Sequence, residues 1–548
     1  MKVVWKVLNA KWRCVDVDWK LKTKPPVFMR DATGLVKAIG PLAAFLFGAQ
    51  CISPPSSGFI TYAWLPYLWP GSDILLILTL GMIFSLIHAV TYSQIGSVYP
   101  RSGADYVFAS RTLTPVGAFA SNFTLSIFSG LVAGSLIAWI PSTLMSSYFF
   151  EVGTITNQPY LIAWSSALTS GIWVLIIGSI ATVITLALML VSPSKTVAFL
   201  KYSFYLAMIS WAIILVSLAT IDSNAFVSNW NTFMGAGNFQ QVIPAAQKAG
   251  LTYQYSPVTA SLAGLIMGFW IYYGYYIPTF FAGEVKRAPR TLFLGSVGSL
   301  VFMWALFAGG AVLLTRLVPA TWLGAEGYLF YGAPGTMTAM PFISFYAAVA
   351  QPNLILGGIV FVGFLLSLIG LAVTYFYYVS RNIFAWSFDR LAPSKLAAVR
   401  PNGAPWVSVI AIAVLAEIGL VLSEYTTIFV QINFTLFAVL TMMVPVLSAI
   451  ILPWKNKQAF AQSPSLVNKK VGPLPIISLF GSITFAYLVF MVFASYYWPA
   501  VGGYVGTGMI MTFVGVLVAG VAIFYIAKAV RAKEGIDLKF IYTNIPPE

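Results

Sequence analysis

Twelve stretches of roughly 20 or more mostly apolar residues run through this chain. They lie at about 34–69, 72–98, 113–147, 165–191, 195–220, 257–287, 291–318, 352–386, 405–423, 425–453, 473–498 and 504–530. About 20 such residues, coiled as an α-helix, cross the hydrocarbon core of a bilayer. No water-soluble interior could hide them all. Only 8% of the 548 residues are charged and 59% are apolar, against about 25% charged in a soluble domain. The sequence therefore predicts an all-α integral membrane protein with about twelve transmembrane helices.

The basic residues orient it. With the N-terminus in the cytoplasm, 28 of the 30 Lys and Arg fall on one side, leaving only Lys248 and Arg316 outside. The outer face holds Asp73, Glu151, Asp222, Glu326 and Glu424. Cytoplasmic loops carry such an excess, so both termini are expected in the cytoplasm of a multi-pass protein of the cytoplasmic membrane. The net charge of +15 then reports topology and does not point to nucleic acid. Two cysteines, Cys14 and Cys51, give no disulfide framework, and His88 with them makes no usual zinc site. The N-terminal 20 residues lack the continuous apolar stretch of a signal peptide.

Five regions follow: a basic cytoplasmic segment at 1–32, a ten-helix core at 33–453, a cytoplasmic loop at 454–472, two further helices within 473–530, and a cytoplasmic tail at 531–548. In the first, Trp5, Trp12 and Trp19 recur every seven residues among lysines, as in a segment lying on the inner leaflet. Between Val15 and Lys22 the pattern alternates with period two, which suits a small cap on the bundle equally well.

Span 1 is too long for one straight helix. Its roughly 36 residues would reach about 54 Å, against about 30 Å of hydrocarbon. Its middle reads Gly48-Ala-Gln-Cys-Ile-Ser-Pro-Pro-Ser-Ser-Gly58. Ser53 before Pro54 is a helix N-cap and first-turn proline, so one half-helix should end near Gly48 and another begin near Ser53. Span 6 carries a second interruption, with Gly274 between tyrosine pairs and Pro278 a turn later. Spans 1 and 6 are five apart and cross in opposite directions, and spans 3 and 8 are both unusually long. That pattern predicts two five-helix units of inverted topology, with a binding site where the broken helices meet.

Three segments resemble motifs of the amino acid–polyamine–organocation superfamily of permeases. Val98-Tyr-Pro-Arg-Ser-Gly-Ala-Asp-Tyr-Val107 follows span 2, Gly283-Glu-Val-Lys-Arg-Ala-Pro-Arg290 ends span 6, and Ser380-Arg-Asn-Ile-Phe-Ala-Trp-Ser-Phe-Asp-Arg-Leu-Ala-Pro393 follows span 8. The tail from Glu534 to Glu548 is similar to tails of prokaryotic members. The resemblance implies a twelve-helix inverted-repeat fold and secondary transport of amino acids, with no cofactor and with coupling to H+ or Na+ left open. It places the substrate carboxylate at the span 1 break, among Cys51, Ile52, Ser53, Ser56, Ser57 and Gly58. The amino group belongs at the span 6 break, beside Tyr273, Gly274 and Tyr275, with Trp270 as the covering aromatic. A half-helix N-terminus suits a carboxylate, and because Pro54 and Pro55 lack an N–H the donors should be Ser56, Ser57 and Gly58. The sequence departs from the family in having Tyr276 where many members carry a glutamate. It also has Met208 near the position of a span 5 lysine found in some proton-coupled members.

Other polar residues have two readings each. Ser126 shares a face of span 3 with Asn122 and Ser129 and lines the cavity or belongs to packing. Ser367 and Thr374 on span 8 hold sodium or bond their own helix. His88 and Glu417 lie inside the apolar band, where they serve packing or proton coupling, away from the spans that build the family's site. Arg101 and Glu284 fall on cytoplasmic loops and suit an inner-gate ion pair. The expected partners are an amino-acid substrate and lipid, and the oligomeric state is open. A transporter is the leading function, with a neutral, apolar or aromatic substrate because no formal charge stands at either break. A sensor that binds without moving its ligand, or a carrier of cationic amino acids or polyamines, is the alternative. An enzyme lacks a nucleophile or metal cluster.

Overall fold

The fold is that of a computed structural model, which describes residue 35 and residues 37–333, 340–426, 431–500 and 506–543. The tryptophan pattern of the first 32 residues and the end of the tail lie outside the described residues. Among these, ten of the sequence-assigned spans are continuous helices long and apolar enough to cross a membrane. They are spans 2 to 5 and 7 to 12, from Ile74–Val98 to Thr507–Lys533, and the observed ends mostly fall within a few residues of the expected ones. Span 3 runs further along the chain than expected, to Ile155, through a wide turn at Ile140–Met145 that contains Pro141.

Spans 1 and 6 are interrupted. Span 1 is helical over Pro41–Ile52, breaks at Ser53, and resumes over Pro54–Phe59 and on to Leu68. The first half thus reaches Ile52 and does not end near Gly48. Gly48 serves packing instead, since a Cβ there would lie 2.5 Å from the Ser299 hydroxyl of span 7. One residue makes the break: Ser53 has φ 63° and ψ 100°, a strained geometry for a residue with a side chain. Its hydroxyl accepts from the Ser56 N–H at 3.3 Å, as the N-cap reading requires. Span 6 is helical over Pro257–Ala263 and Leu265–Tyr272, unwinds through Tyr273 and Gly274, and continues only as short 3₁₀ turns at Ile277–Phe280 and Ala282–Glu284.

The most extensive helix packing joins span 5 to span 8, span 2 to span 7, span 3 to span 9, span 1 to span 7 and span 10 to span 11. The connections after spans 5 and 7 fold into short helices at Ser223–Met234, Asn238–Lys248, Ala320–Tyr331 and Ile343–Ala350. Ala320–Tyr331 lies on the second half of span 1, where Tyr331 meets Tyr67 at 5.3 Å between rings. Its Glu326 is buried, accepts from Tyr346 at 2.9 Å, and is pushed up to about 8 by burial.

Candidate functional site

The two interruptions touch. A Cβ on Gly274 would stand 2.6 Å from the Cys51 Cβ and 2.8 Å from its sulfur, and Gly274 has φ +127°. Only glycine accepts that backbone and that approach. The Ser57 hydroxyl, within hydrogen-bonding distance of both Ile52 O (2.5 Å) and Ile271 O (2.6 Å), ties the breaks together.

A small cavity opens beside this junction, lined by Cys51, Ile52, Ser56, Ser57, Ile60, Leu136, Trp270, Tyr273, Leu371 and Tyr375. A second small one lies behind Trp270, Tyr273 and Tyr375. Leu125, Phe128, Val132, Phe434, Phe437 and Ala438 make most of its wall, with Ser129 its one aliphatic hydroxyl. The shared partition is an aromatic stack: Trp270 on Tyr273 at 5.2 Å, and Tyr273 on Tyr375 at 6.4 Å. Neither chamber has a charged side chain in its wall.

Six of the residues read from the sequence line the first chamber, and Gly274 forms the junction behind it. The others go elsewhere. Gly58 packs on Trp211 of span 5, where a Cβ would lie 2.8 Å from the indole, and Trp211 Nε1 donates to Pro54 O at 3.1 Å. Tyr275 turns toward span 2 and stands 2.6 Å from His88 Nδ1. Ser126 belongs to an interlock of spans 3 and 8: it accepts from Asn382 at 2.8 Å and donates to Asn122 O, while Trp386 Nε1 donates to Asn122 Oδ1. Ser53 is the cap. The donors expected for a carboxylate are already engaged, Ser56 N–H on Ser53 Oγ and Ser57 N–H on Ser53 O at 3.0 Å. Short local bonds satisfy a helix start as well as a ligand does, and a ligand has to replace them.

Ser367 is also committed, donating to Gln50 Oε1 at 2.8 Å, while Gln50 Nε2 donates to Ser203 at 2.7 Å. An amide thus braces spans 1, 5 and 8 where the sequence offered sodium. Thr374 bonds its own helix at Leu371 O (2.7 Å) and lies beside Cys51. Glu417 accepts from Ser179 at 3.0 Å.

Beside the junction, on the side of the first half of span 1, a buried ion pair joins spans 6 and 8. Glu284 pairs with Arg381, Nε to Oε1 at 2.8 Å and Nη2 to Oε2 at 3.1 Å, and accepts from Tyr377 at 2.7 Å. Among the described residues Glu284 therefore pairs with Arg381. Arg381 stood in the span 8 motif but gave no local sign of reaching span 6. Its guanidinium lies 3.7 Å from the Tyr377 ring centroid, and Phe47, Phe281 and Tyr377 close ring on ring at 4.6 to 5.1 Å. A forked pair so deeply buried is held by geometry, and removing one partner strands the other.

Long apolar helices around two interrupted ones, which meet beside a small cavity, form the build of a membrane carrier of small solutes. The chain belongs to the amino acid permease family, whose sequence profile matches residues 41–521. It is thus a multi-pass membrane protein of a family of amino-acid transporters, as its three motifs implied. No curated protein matches the chain.

Proposed function

We propose that this protein is a secondary carrier of neutral amino acids with apolar or aromatic side chains, working by alternating access in the cytoplasmic membrane with both termini inside. The observation that carries the substrate class is the pair of chambers with no charged side chain, divided by Trp270, Tyr273 and Tyr375. The chamber at the helix breaks offers serines and peptide groups for the zwitterionic head. The chamber behind it offers Phe128, Phe434 and Phe437 for an apolar side chain. A charged side chain there would forfeit several kcal/mol of hydration without a partner.

The packing supports a ten-helix core built as two inverted five-helix units, followed by two helices. The contact of span 1 with span 7 has its counterpart in span 6 with span 2. Likewise span 3 with span 9 answers span 8 with span 4, and span 5 with span 8 answers span 10 with span 3. The Glu284–Arg381 pair is the inner gate in this reading and opens when the inner half of span 6 leaves span 8. Arg101 belongs to the same inner face.

Uptake into proteoliposomes, with all common amino acids as competitors, tests the substrate class. Leucine, phenylalanine and their like should displace the tracer. Displacement chiefly by arginine, lysine or glutamate would contradict it.

A further inference from the structure

Between span 2, the inner part of span 6 and the short helix Ala104–Thr112 lies a buried polar group that the two chambers leave unused. His88, Tyr92, Asp105 and Tyr276 are all 4% exposed or less. His88 Nδ1 stands 2.6 Å from the Tyr275 hydroxyl at the span 6 break. Toward the inner face, Tyr92 meets the His88 ring edge-on at 4.5 Å, and its hydroxyl faces Asp105. Tyr276 packs on both rings, at 6.1 Å from His88 and 5.3 Å from Tyr92. Among the described residues, His88 Nε2, the Tyr92 and Tyr276 hydroxyls and both oxygens of Asp105 have no partner at hydrogen-bonding geometry. The Tyr92 hydroxyl and the backbone at Asp105 offset that burial only in part, and a carboxylate so enclosed is disfavoured against the neutral acid.

Asp105 also sits where span 6 meets span 8. The loop before it is clasped to the inner half of span 6: Gly103 N–H donates to Phe280 O at 2.9 Å, and Ser102 pairs with Phe281. Gly103 has φ +97°, and a Cβ there would meet the Ala385 Cβ of span 8 at 2.5 Å. The loop is therefore wedged between the two spans whose separation opens the inner gate.

We propose that Asp105 is the proton-carrying residue of this transporter: its carboxyl stays neutral while span 6 is packed on the Ser102–Gly103 loop and gives its proton to cytoplasmic water when that contact opens. Tyr275, His88 and Tyr92 form the buried polar line from the substrate site to it. The inference rests on the reading of the chain as a carrier.

The surrounding charges leave the carboxyl to burial. On its own helix, Tyr106 and Arg111 are held on Asp389 at 2.7 and 2.8 Å. Arg101 lies in the preceding loop. Span 2 presents Tyr92, with Tyr99 at its end bonded to Asn456. Span 3 has no ionisable side chain over Pro115–Trp139. Span 6 presents Tyr276, and span 8 presents Tyr378, Asp389 and the Arg381–Glu284 pair. Span 10 carries Lys455 at its end, and the tail helix carries Lys539 and Tyr542. Burial lifts Asp105 from 3.8 to about 7, against a smaller opposing effect of Tyr92. The value is raised, so the closed arrangement is favoured in full below about 3.8 and loses that preference as pH rises through about 7.

The test uses the full chain in proteoliposomes with a pH-sensitive dye inside. Wild type should accumulate its amino acid on an inward proton gradient and admit protons with it. Asp105→Asn should keep tracer exchange but lose both gradient-driven accumulation and proton entry. Asp105→Glu, which keeps an acid, should shift the pH midpoint, and it serves if the asparagine variant does not fold. Infrared titration of the purified chain reads the residue without transport: a protonated-carboxyl band in the difference between wild type and Asp105→Asn, lost as pH passes about 7, apart from the Glu326 band near 8. Proton entry unchanged in Asp105→Asn, or wild type without that band, would overturn the proposal. Absence of uptake of any amino acid would instead overturn the carrier reading, and the infrared band would still decide whether Asp105 holds a proton.

Discussion

Trp270 stands in the walls of both chambers and is stacked on Tyr273. Its truncation should join them and remove a desolvated contact. Trp270→Ala is expected to weaken binding of a neutral substrate by about 1–3 kcal/mol, roughly 5- to 150-fold in Kd. Equilibrium binding checks this, and an unchanged affinity would leave Trp270 a packing residue. Cys51, Ile52, Ser56, Ser57 and Tyr273 were legible beside it because a proline-serine break and a glycine among tyrosines are local signals. Tyr375, Leu371 and Leu136 were not. Spans 3 and 8 have no break near them, and which face of a uniformly apolar helix turns inward is settled by its neighbours. The same blindness put Ser126 in the cavity, when it is consumed by Asn382.

At the scale of elements, the junction depends on Gly274 letting span 6 pass Cys51. Gly274→Ala adds a carbon 2.6–2.8 Å from Cys51 atoms at φ +127°. Strain of this kind costs on the order of 1–3 kcal/mol. The variant should melt several degrees lower and lose uptake, as thermal unfolding in detergent and transport assays will show. Wild-type melting and uptake together would mean that the two breaks do not meet as described. The existence of both breaks was written in the sequence, but their extent was not. Gly48 reads as a helix end until Ser299 of span 7 is found against it. The inner half of span 6 reads as helix until Gly103 N–H claims Phe280 O.

For the whole molecule, hydropathy located the long spans, since a bilayer demands length and apolarity before anything else. The helices at Ser223–Met234, Asn238–Lys248, Ala320–Tyr331 and Ile343–Ala350 carry no such mark, being short, and they become visible only as packing between the ends of the long ones. The central claim is that the amino acid binds where spans 1 and 6 are interrupted, and the chain holds its own reporter there. Cys51 lines the first chamber and is the only cysteine besides Cys14. With Cys14→Ser as background, the decisive measurement is the rate of Cys51 alkylation on ice, with and without saturating leucine or phenylalanine. Bound substrate should slow alkylation, half-maximally at the concentration that half-saturates uptake, and glutamate should not. A transported amino acid that leaves the Cys51 rate unchanged would contradict the account.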